Sequence, residues 1–325
     1  MTLAEQVRRA GVVGAGGGGY PTHLKLAGRA DTVIANGAEC EPLLHKDAAV
    51  LEHHAAEVID GLRAAMEAVG ASRGVVAVKA KNAHAVDAVR GYCRDGIELR
   101  LLEDYYPAGD EYELVHGIVG RPIPPGGIPL QVGCVVQNVE TLANIARAVR
   151  GMSVTRKTLT VAGAVREPCT LSVPIGTPIR ACLEAAGGAL TASPYLVLGG
   201  LMMGRGSTDP DQPVTKTLAG IVVLPPAHPF TVRATTPARA QERIGRSACD
   251  QCRYCTEYCP RYLLGYPVEP HRVMRGLGFT AGEKSRWSEW SAYCCSCGLC
   301  TLFACPEALF PREACDDARR ELRQG

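Results

Sequence analysis

Long hydrophobic runs are missing from the sequence, although hydrophobic residues make up 46% of its 325 positions. Glycine or a charged residue interrupts every apolar stretch before it approaches the roughly 20 apolar residues of a membrane-spanning helix. The N-terminal residues, from Met1 to Arg9, also lack the apolar core of a secretory signal peptide. We therefore expect no direct membrane insertion and a cytoplasmic location.

A surplus of one charge is missing as well. The 35 lysines and arginines nearly balance the 33 aspartates and glutamates, so the formal net charge is only +2. The basic residues are scattered, and no basic stripe alternates with aromatic side chains as it would in a nucleic-acid-binding surface. We therefore expect no nucleic-acid partner. The chain is long enough for about two or three small domains with hydrophobic cores of their own.

Cysteine, in contrast, is abundant. The chain has 15 cysteines, and ten of them fall within the last 77 residues. A reducing cytoplasm disfavours disulfides, so clustered thiols in a cytoplasmic protein usually bind metal. The clustering therefore predicts a metal centre in the C-terminal part of the chain.

Eight of these cysteines form two runs with the spacing of [4Fe–4S] ligands. The runs are Cys249, Cys252, Cys255 and Cys259, and then Cys294, Cys297, Cys300 and Cys305. Three thiolates at x2 spacing can surround three corners of a cubane, and a proline follows the last cysteine of each run, as in bacterial ferredoxins. Zinc, which also binds Cys-x2-Cys pairs, is the alternative. Cys295 is a competing first ligand of the second run, and we prefer Cys294 because it keeps the x2 spacing.

The last cysteine of each run is expected to serve the cluster of the other run. In two-cluster ferredoxins the cysteine before the proline ligates the opposite cluster. This rule assigns cluster one to Cys249, Cys252, Cys255 and Cys305, and cluster two to Cys294, Cys297, Cys300 and Cys259. The crossing would bring the two clusters close together, which suits electron transfer between them.

Residues 1–150 alternate apolar runs with stretches of helical periodicity. The predicted buried strands are 32–36, 74–79 and 97–102, and the predicted helices between them are 47–70 and 83–94. Strands that alternate with helices are typical of a parallel sheet, so this region predicts a Rossmann-like α/β domain.

The pattern changes after residue 150. Residues 151–240 contain short β runs at 158–163 and 170–174 and a helix at 178–186, which together predict a small β-grasp domain. We interpret 205–240, which is rich in proline and threonine, as an irregular connector. Residues 241–325 predict a helical, ferredoxin-like domain that holds the two cysteine runs.

A glycine-rich segment from Gly14 to Lys25 is the second strong motif. Consecutive glycines let the backbone approach a phosphate or a flat ring and offer N–H donors to it. A flexible loop is the alternative, because no strand precedes the segment as the dinucleotide-binding fingerprint requires. Polar turns follow at 36–42, 106–111 and 136–141, and the first comes directly after a predicted strand. Open α/β sheets bind ligands at that edge.

The motifs together resemble a known fold. The order of Gly-Gly-x-Gly-Tyr-Pro-Thr, Asn-x-x-Glu-x-Glu-Pro and Asn-Val-Glu-Thr is similar to the FMN- and NADH-binding fold of the complex I flavoprotein subunit and of RnfC-type electron-transport proteins. The segment from Gly199 to Gly204 and the x4 spacing before Cys305 resemble the PduS family of cobalamin reductases. The resemblance covers essentially the whole chain, and it implies that the β-grasp region is an SLBB (soluble-ligand-binding β-grasp) domain.

The resemblance also implies which residues bind cofactors, while it assigns no catalytic acid or base. The residues that would surround FMN and NADH are Gly14, Gly16, Gly17, Gly18, Tyr20, Lys25, Asn36, Glu39, Glu41, Asp110, Glu111, Asn138 and Thr141. Tyr20 would stack near the nicotinamide, and Glu41 would contact NADH. Lys25 can meet the FMN phosphate, while Asn36 and Asn138 can hydrogen-bond the polar edge of the ring.

The leading hypothesis is an NADH-dependent flavo-iron–sulfur oxidoreductase. FMN accepts a hydride as an electron pair, and two [4Fe–4S] clusters pass electrons on singly. By resemblance the acceptor would be a cobalamin, in the lumen of a bacterial microcompartment with a shell protein as a further partner. One alternative is an electron-relay module that does not oxidise NADH, because Ala15 and Ala38 stand where complex I has arginine and an acidic residue. Another is a subunit of an RnfC-like membrane complex, with a protein as the acceptor.

Overall fold

The chain folds into two compact units in a computed structural model that describes residues 1–278 and 287–322. The first unit comprises Met1–Ile123 with Ile128–His228, and the second comprises Pro124–Gly127 with Pro229–Gly325. The domain limits placed after residues 150 and 240 stay predictions. Part of the predicted domain 241–325, namely 279–286 and 323–325, lies outside the described residues.

A parallel sheet of four strands forms the core of the N-terminal region, as predicted. Its strands are β1 (Thr32–Gly37), β2 (Arg73–Lys79), β3 (Ile97–Leu102) and β4 (Cys134–Asn138), in the order β3-β2-β1-β4. All three pairings are parallel, so the carboxyl ends of the strands lie at one edge. The positions of β1 to β3 confirm the sequence prediction, whereas β4 was read as part of a polar turn.

Helices cover both faces of this sheet. They are α1 (Leu3–Arg9), α2 (Thr22–Lys25), α3 (Lys46–Val69), α4 (Ala83–Arg90), α5 (Glu111–Val119) and α6 (Val139–Val149). Neighbouring residues on β1 belong to different cores, since Val33 joins one apolar cluster and Ile34 joins the other. Successive side chains of a strand point to opposite faces, so the sheet is buried on both sides. The two long predicted helices are confirmed, although α4 ends earlier than expected, at Gly91.

Strand β3 is not the buried strand that its sequence predicted. Ile97 is buried, but Glu98, Arg100 and Leu101 are exposed. The strand lies at the edge of the sheet, where it pairs with β2 alone. An edge strand needs fewer apolar side chains, which explains the charged residues in its sequence.

A second, mixed sheet follows in the same unit and confirms the predicted β-grasp architecture. Its elements are β5 (Arg156–Gly163), β6 (Cys169–Pro174), α7 (Ile179–Ala185), β7 (Tyr195–Leu198), β8 (Arg205–Ser207) and β9 (Gly220–Leu224). The strand order is β6-β5-β9-β7-β8, with β5 parallel to β9. α7 packs on one face through Ile179 and Cys182, in a core shared with Leu159 and Ile221.

The interpretation of 205–240 as an irregular connector is wrong. Strand β9 lies in this segment and forms the centre of the second sheet, and every one of its residues is buried. Its sequence, Gly-Ile-Val-Val-Leu, is a short continuous apolar run with β-branched residues, which is the pattern of a fully buried strand. The surrounding prolines and threonines obscured that pattern.

The second unit is helical, as predicted for the region of the cysteine runs. Its helices are α8 (Pro229–Ala234), α9 (Ala238–Ala248), α10 (Tyr254–Glu257), α11 (Pro260–Leu263), α12 (Pro270–Gly278), α13 (Trp287–Ser291) and α14 (Pro311–Leu322). A π-helical turn spans Cys300–Ala304. A small core includes Val273, Trp290 and Cys315. Within the described parts of the chain, no helix is both long and apolar enough to cross a membrane.

Candidate functional site

The ends of β1 and β4 create a crevice at the carboxyl edge of the parallel sheet. The chain runs from β1 through β2 to β3 in one direction and then places β4 on the opposite side of β1. Such a switch point is where open α/β sheets bind ligands. Asn36 and Asn138 are partners in the register of the two strands, so their backbones lie side by side at this point.

The glycine-rich segment lies beside this crevice. The N–H of Gly14 donates to the carbonyl oxygen of Tyr20 at 2.9 Å, which closes the segment into a loop. Gly16 approaches Asn138 closely, since a Cβ added at Gly16 would lie 3.4 Å from the Asn138 side chain. Gly17 has a φ of 113°, which only glycine adopts without strain, and an added Cβ there would meet open space. The loop therefore combines an anchored side with an open side.

Both backbone groups of Ala15 are held by residues from elsewhere in the fold. The N–H of Ala15 donates to the hydroxyl of Thr141 at 2.9 Å. The ammonium group of Lys157, on β5, donates to the carbonyl oxygen of Ala15 at 2.9 Å. The side chain of Lys157 is only 2% exposed, so this lysine is a buried support for the loop.

A buried ionic network continues from Lys157 to the crevice. Glu140 pairs with the ammonium groups of Lys157 and Lys46, and its other oxygen accepts the N–H of Thr158 at 2.9 Å. Lys46, which is 1% exposed, also pairs with Asp47. Asn138 donates to both carboxylate oxygens of Asp47 at 2.9 Å. The network thus fixes the side chain of Asn138 that faces the glycine loop.

Burial and charge change several pKa values in this network. Burial tends to raise the pKa of Glu140, but Lys46 and Lys157 outweigh it and lower the pKa. Burial and the charge of Lys46 lower the pKa of Lys157 to about 8, against the opposing effect of Glu140. Burial tends to lower the pKa of Lys46, but Asp47, followed by Glu140, raises it above the ordinary value.

Glu39 lies next to the network and is held close to it. Its carboxyl group accepts the backbone N–H of Asp47, and its φ of 37° is unusual for a residue other than glycine. Burial, together with the charge of Asp47, raises the pKa of Glu39 to about 8. Glu39 therefore holds a proton near neutral pH and can donate as well as accept a hydrogen bond.

Lys25 and the loop at 106–111 form the other side of the crevice. The Lys25 ammonium donates to Glu111 at 2.6 Å and to the carbonyl oxygen of Val136 at 3.0 Å, and it lies 5.5 Å from the centre of the Tyr20 ring. The Asn36 amide donates to the carbonyl oxygen of Gly109 at 2.9 Å. The structure therefore places Lys25, Asn36 and Glu111 around one region, together with the glycine loop.

Two residues from the predicted set have additional partners. Asp110 caps α5, where its carboxylate accepts the N–H groups of Tyr112 and Glu113 at 3.0 and 3.4 Å. The carboxylate of Glu41 accepts the backbone N–H groups of Met202 and Met203. The binding roles of the whole predicted set stay predictions.

Sequence reasoning did not select four residues of the ionic network, namely Lys46, Asp47, Glu140 and Lys157. Glu140 lies inside the Asn-Val-Glu-Thr motif, and Lys46-Asp47 begins a helix shortly after the Asn36 turn. Charged residues at the buried ends of helices and strands are rare unless they are paired, and that pattern was the available signal.

The second unit places four cysteines around one cavity, which has about 320 Å³ of empty volume. The cysteines that line this cavity are Cys249, Cys252, Cys255 and Cys305. Three come from the first run and Cys305 comes from the second, which is the arrangement of the crossed assignment for cluster one. Burial, followed by the charges of Cys249 and Cys252, raises the pKa of Cys255 to about 12. Such a thiol ionises readily only beside a cation, so the donor set fits an iron–sulfur cluster.

The cysteines assigned to cluster two are also close to one another. Burial, followed by backbone N–H groups and the charge of Cys294, changes the pKa of Cys259, with a net rise to about 12. Burial and then the charges of Cys294 and Cys259 raise the pKa of Cys300. The sulfur of Cys294 also accepts the N–H of Ser296 at 3.3 Å. Cys315, on α14, packs against Cys294 in the same core.

Two further cysteines therefore accompany the predicted ligands of cluster two. A hydrogen bond with Cys295, followed by burial, raises the pKa of Cys297. The proximity of Cys295 was visible in the sequence, whereas the approach of Cys315 depends on how α14 folds back. Ligation by each of the eight cysteines stays a prediction.

Comparison with known families assigns the parts of the chain. The model of the Nuo51 FMN-binding domain matches residues 7–147. The SLBB domain model matches residues 158–206, and the model of a 4Fe-4S dicluster domain matches residues 248–310. The chain thus combines FMN-binding, SLBB and 4Fe-4S dicluster domains, and the zinc alternative for the cysteine runs is wrong.

Individual relatives extend this similarity over the whole chain. Cobalamin reductase PduS of Salmonella typhimurium is 43% identical over 322 residues, which cover 99% of this chain and 71% of that protein. PduS of Citrobacter freundii is 42% identical, with 99% and 72% covered. The corresponding component of the Na⁺-translocating ferredoxin:NAD⁺ oxidoreductase complex of Acetobacterium woodii is 35% identical, with 80% and 58% covered.

A solved structure shows the same fold at low sequence identity. The matching chain of an NAD⁺-reducing [NiFe]-hydrogenase has a TM-score of 0.63 at 20% identity, and 99% of this chain and 61% of that chain are covered. The fold, the order of domains and the identity to full-length relatives agree. The chain belongs to the PduS family of cobalamin reductases.

Proposed function

We propose that the protein is an NADH-dependent oxidoreductase that delivers electrons through FMN and two [4Fe–4S] clusters to a corrinoid acceptor. The observation that carries the proposal is the 43% identity to a cobalamin reductase along 99% of the chain. The crevice at the sheet edge and the paired cysteine groups support it, because they are separate sites with the donor types that each cofactor requires.

FMN bound at the crevice would supply the change from a two-electron donor to one-electron carriers. The open side of the glycine loop offers backbone N–H groups, and Lys25 offers a positive charge for a phosphate. Asn138, oriented by Asp47, presents its amide toward the same region. Glu39 holds a proton at its carboxyl group near neutral pH because burial raises its pKa to about 8.

The second unit would hold the two clusters. Cluster one would lie in the cavity lined by Cys249, Cys252, Cys255 and Cys305. Cys252 is exposed, so this cavity reaches the protein surface. A cluster near the surface can exchange electrons with an external acceptor, and we therefore place the exit for electrons at cluster one.

Anaerobic reconstitution tests the proposed function. The protein is loaded with iron, sulfide and FMN and then titrated with NADH while flavin and cluster absorbance are recorded. We expect the flavin to bleach first and the clusters afterwards, and we expect added cob(III)alamin to restore both signals. Loaded protein that binds FMN but leaves NADH unoxidised would contradict the proposal and favour the electron-relay module.

A role as a component of an ion-translocating membrane complex is the second candidate. It is favoured by the 35% identity to such a component from Acetobacterium woodii. Co-purification with integral membrane proteins would support it. Our proposal instead places the protein in the cytoplasm, within a microcompartment lumen and in contact with a shell protein, and fractionation of intact compartments tests that location.

A further inference from the structure

The Gly199–Gly204 turn, between β7 and β8, has a shape that only glycine permits. Gly199 and Gly200 have φ values of 107° and 152°, which side-chain-bearing residues rarely adopt. The N–H of Gly204 donates to the carbonyl oxygen of Gly200 at 2.8 Å and closes the turn. Two successive residues in this conformation point backbone N–H groups toward one place, as in anion-binding nests.

The turn closes around the carboxylate of Glu41. The N–H of Met202 donates to Oε2 at 2.8 Å, and the N–H of Met203 donates to Oε1 at 2.9 Å. A Cβ added at Gly200 would lie 2.5 Å from the Glu41 carboxyl carbon, so the turn has no room for a side chain at that point. The two contacts join segments that are 161 and 162 residues apart in sequence.

We infer that the Gly199–Gly204 turn positions Glu41 for the hydroxyl groups of a nucleotide cofactor. The inference rests on the proposed oxidation of NADH, because that proposal gives Glu41 its ligand. A carboxylate can accept hydrogen bonds from the hydroxyls of a ribose. The two backbone donors fix the side-chain rotamer before the nucleotide arrives, so less freedom is lost on binding.

This role differs from a purely structural one in what it changes. If the turn only stabilised the fold, its loss would lower the content of folded, FMN-loaded protein. If it positions Glu41, its loss weakens binding of NADH while the turnover number and the FMN content stay the same. The SLBB domain thereby becomes part of the nucleotide site, because the turn belongs to its sheet.

A pair of substitutions at Met203 separates the N–H group from the side chain. The side chain of Met203 is 56% exposed, so Met203→Ala keeps the N–H donor and removes only a surface group. Met203→Pro removes the donor as well. We expect KM for NADH to be about 3- to 10-fold higher in the proline variant than in the alanine variant, with equal kcat and FMN content. Equal KM values, or a fall in kcat at constant KM, would overturn the inference.

Hydrogen exchange of the FMN-loaded protein provides a test that needs no activity. We expect the amides of Met202 and Met203 to exchange at least about tenfold faster in Glu41→Ala than in the unaltered protein, because both lose their acceptor. Glu52→Ala, at an exposed position on α3, is the control. Unchanged exchange in Glu41→Ala would show that Glu41 does not hold the turn, and the inference would fall. A protein that keeps this protection but does not bind NADH would overturn the proposed function and the positioning role, while leaving the contact itself established.

Discussion

Lys157 is the residue on which the glycine loop depends most. It is almost fully buried, and it holds the carbonyl group of Ala15 while pairing with Glu140. Its removal leaves a buried carbonyl oxygen without this donor, which costs roughly 1–3 kcal/mol. A lysine in this position therefore supports the binding site although it need not touch a ligand.

We expect Lys157→Met to bind FMN about 5- to 100-fold more weakly, because the loop loses one of its two anchors at Ala15. Fluorescence titration of the apoprotein with FMN measures this directly. Lys81→Met, which removes a half-exposed lysine paired with Asp104, is the control and should leave FMN affinity unchanged. Equal affinities in the two variants would contradict the role given to Lys157.

Glu39 makes stability depend on pH in a defined direction. Its pKa is about 8 in the folded protein, against 4.5 for the ordinary carboxyl group. Between these values the folded state holds a proton that the unfolded state has released, so this contribution is complete below about pH 4.5 and is lost as pH rises through 8. We expect Glu39→Gln to gain stability relative to the unaltered protein between pH 5 and pH 8, as measured by urea unfolding at the two pH values. A constant difference at both values would contradict the raised pKa.

At the scale of elements, the contact between α3 and α6 is unusually close. Gly61 faces the backbone of Leu142, and a Cβ at Gly61 would overlap the Leu142 carbonyl group. The two helices can approach only because Gly61 has no side chain. Glycine costs a helix about 1 kcal/mol relative to alanine, so its presence in the middle of α3 reflects packing.

Gly61→Ala is expected to destabilise the protein by about 1–3 kcal/mol, because the helices must move apart. Gly117→Ala, on α5, is a matched control, since an added Cβ there meets nothing within 4 Å. That control should gain up to about 1 kcal/mol from helix propensity. Denaturant midpoints of the two variants should move in opposite directions, and a shared direction would show that packing does not decide the effect.

The crossed cysteine assignment makes a prediction at the same scale. Cys305→Ala should affect the same cluster as Cys252→Ala, although the two cysteines are in different runs, because both line one cavity. Cys259→Ala should affect the other cluster. Iron analysis and electron paramagnetic resonance of the reduced proteins distinguish the clusters. If Cys305→Ala instead matched Cys297→Ala, the runs would bind their clusters without crossing.

The sequence predicted strands well where apolar runs stand alone and poorly where polar motifs surround them. β1 to β3 were located within a residue, whereas β4 was hidden by the Asn138 motif and β9 by the prolines around it. The same limit applies to the site. Motif order identified Asn36, Asn138 and the glycine loop, but nothing local indicates that Lys157 reaches Ala15 across 142 residues.

For the whole molecule, the two units should respond differently to loss of iron. The first unit has its own apolar clusters around both sheets, whereas the second has a small core that includes Cys315 and packs against Cys249 and Cys305. We expect iron chelation to increase hydrogen exchange in Pro229–Gly325 while FMN stays bound to the first unit. Release of FMN at the same rate as iron would contradict this independence.

The long separation between Ala15 and Lys157 has a consequence for biosynthesis. The glycine loop leaves the ribosome early, but its second anchor emerges only with β5, and β5 gains its central neighbour only when β9 has been made. The nascent chain therefore cannot complete the flavin crevice until more than half of the protein exists. Flavin supplied during translation would find a finished pocket only after the β-grasp sheet has closed.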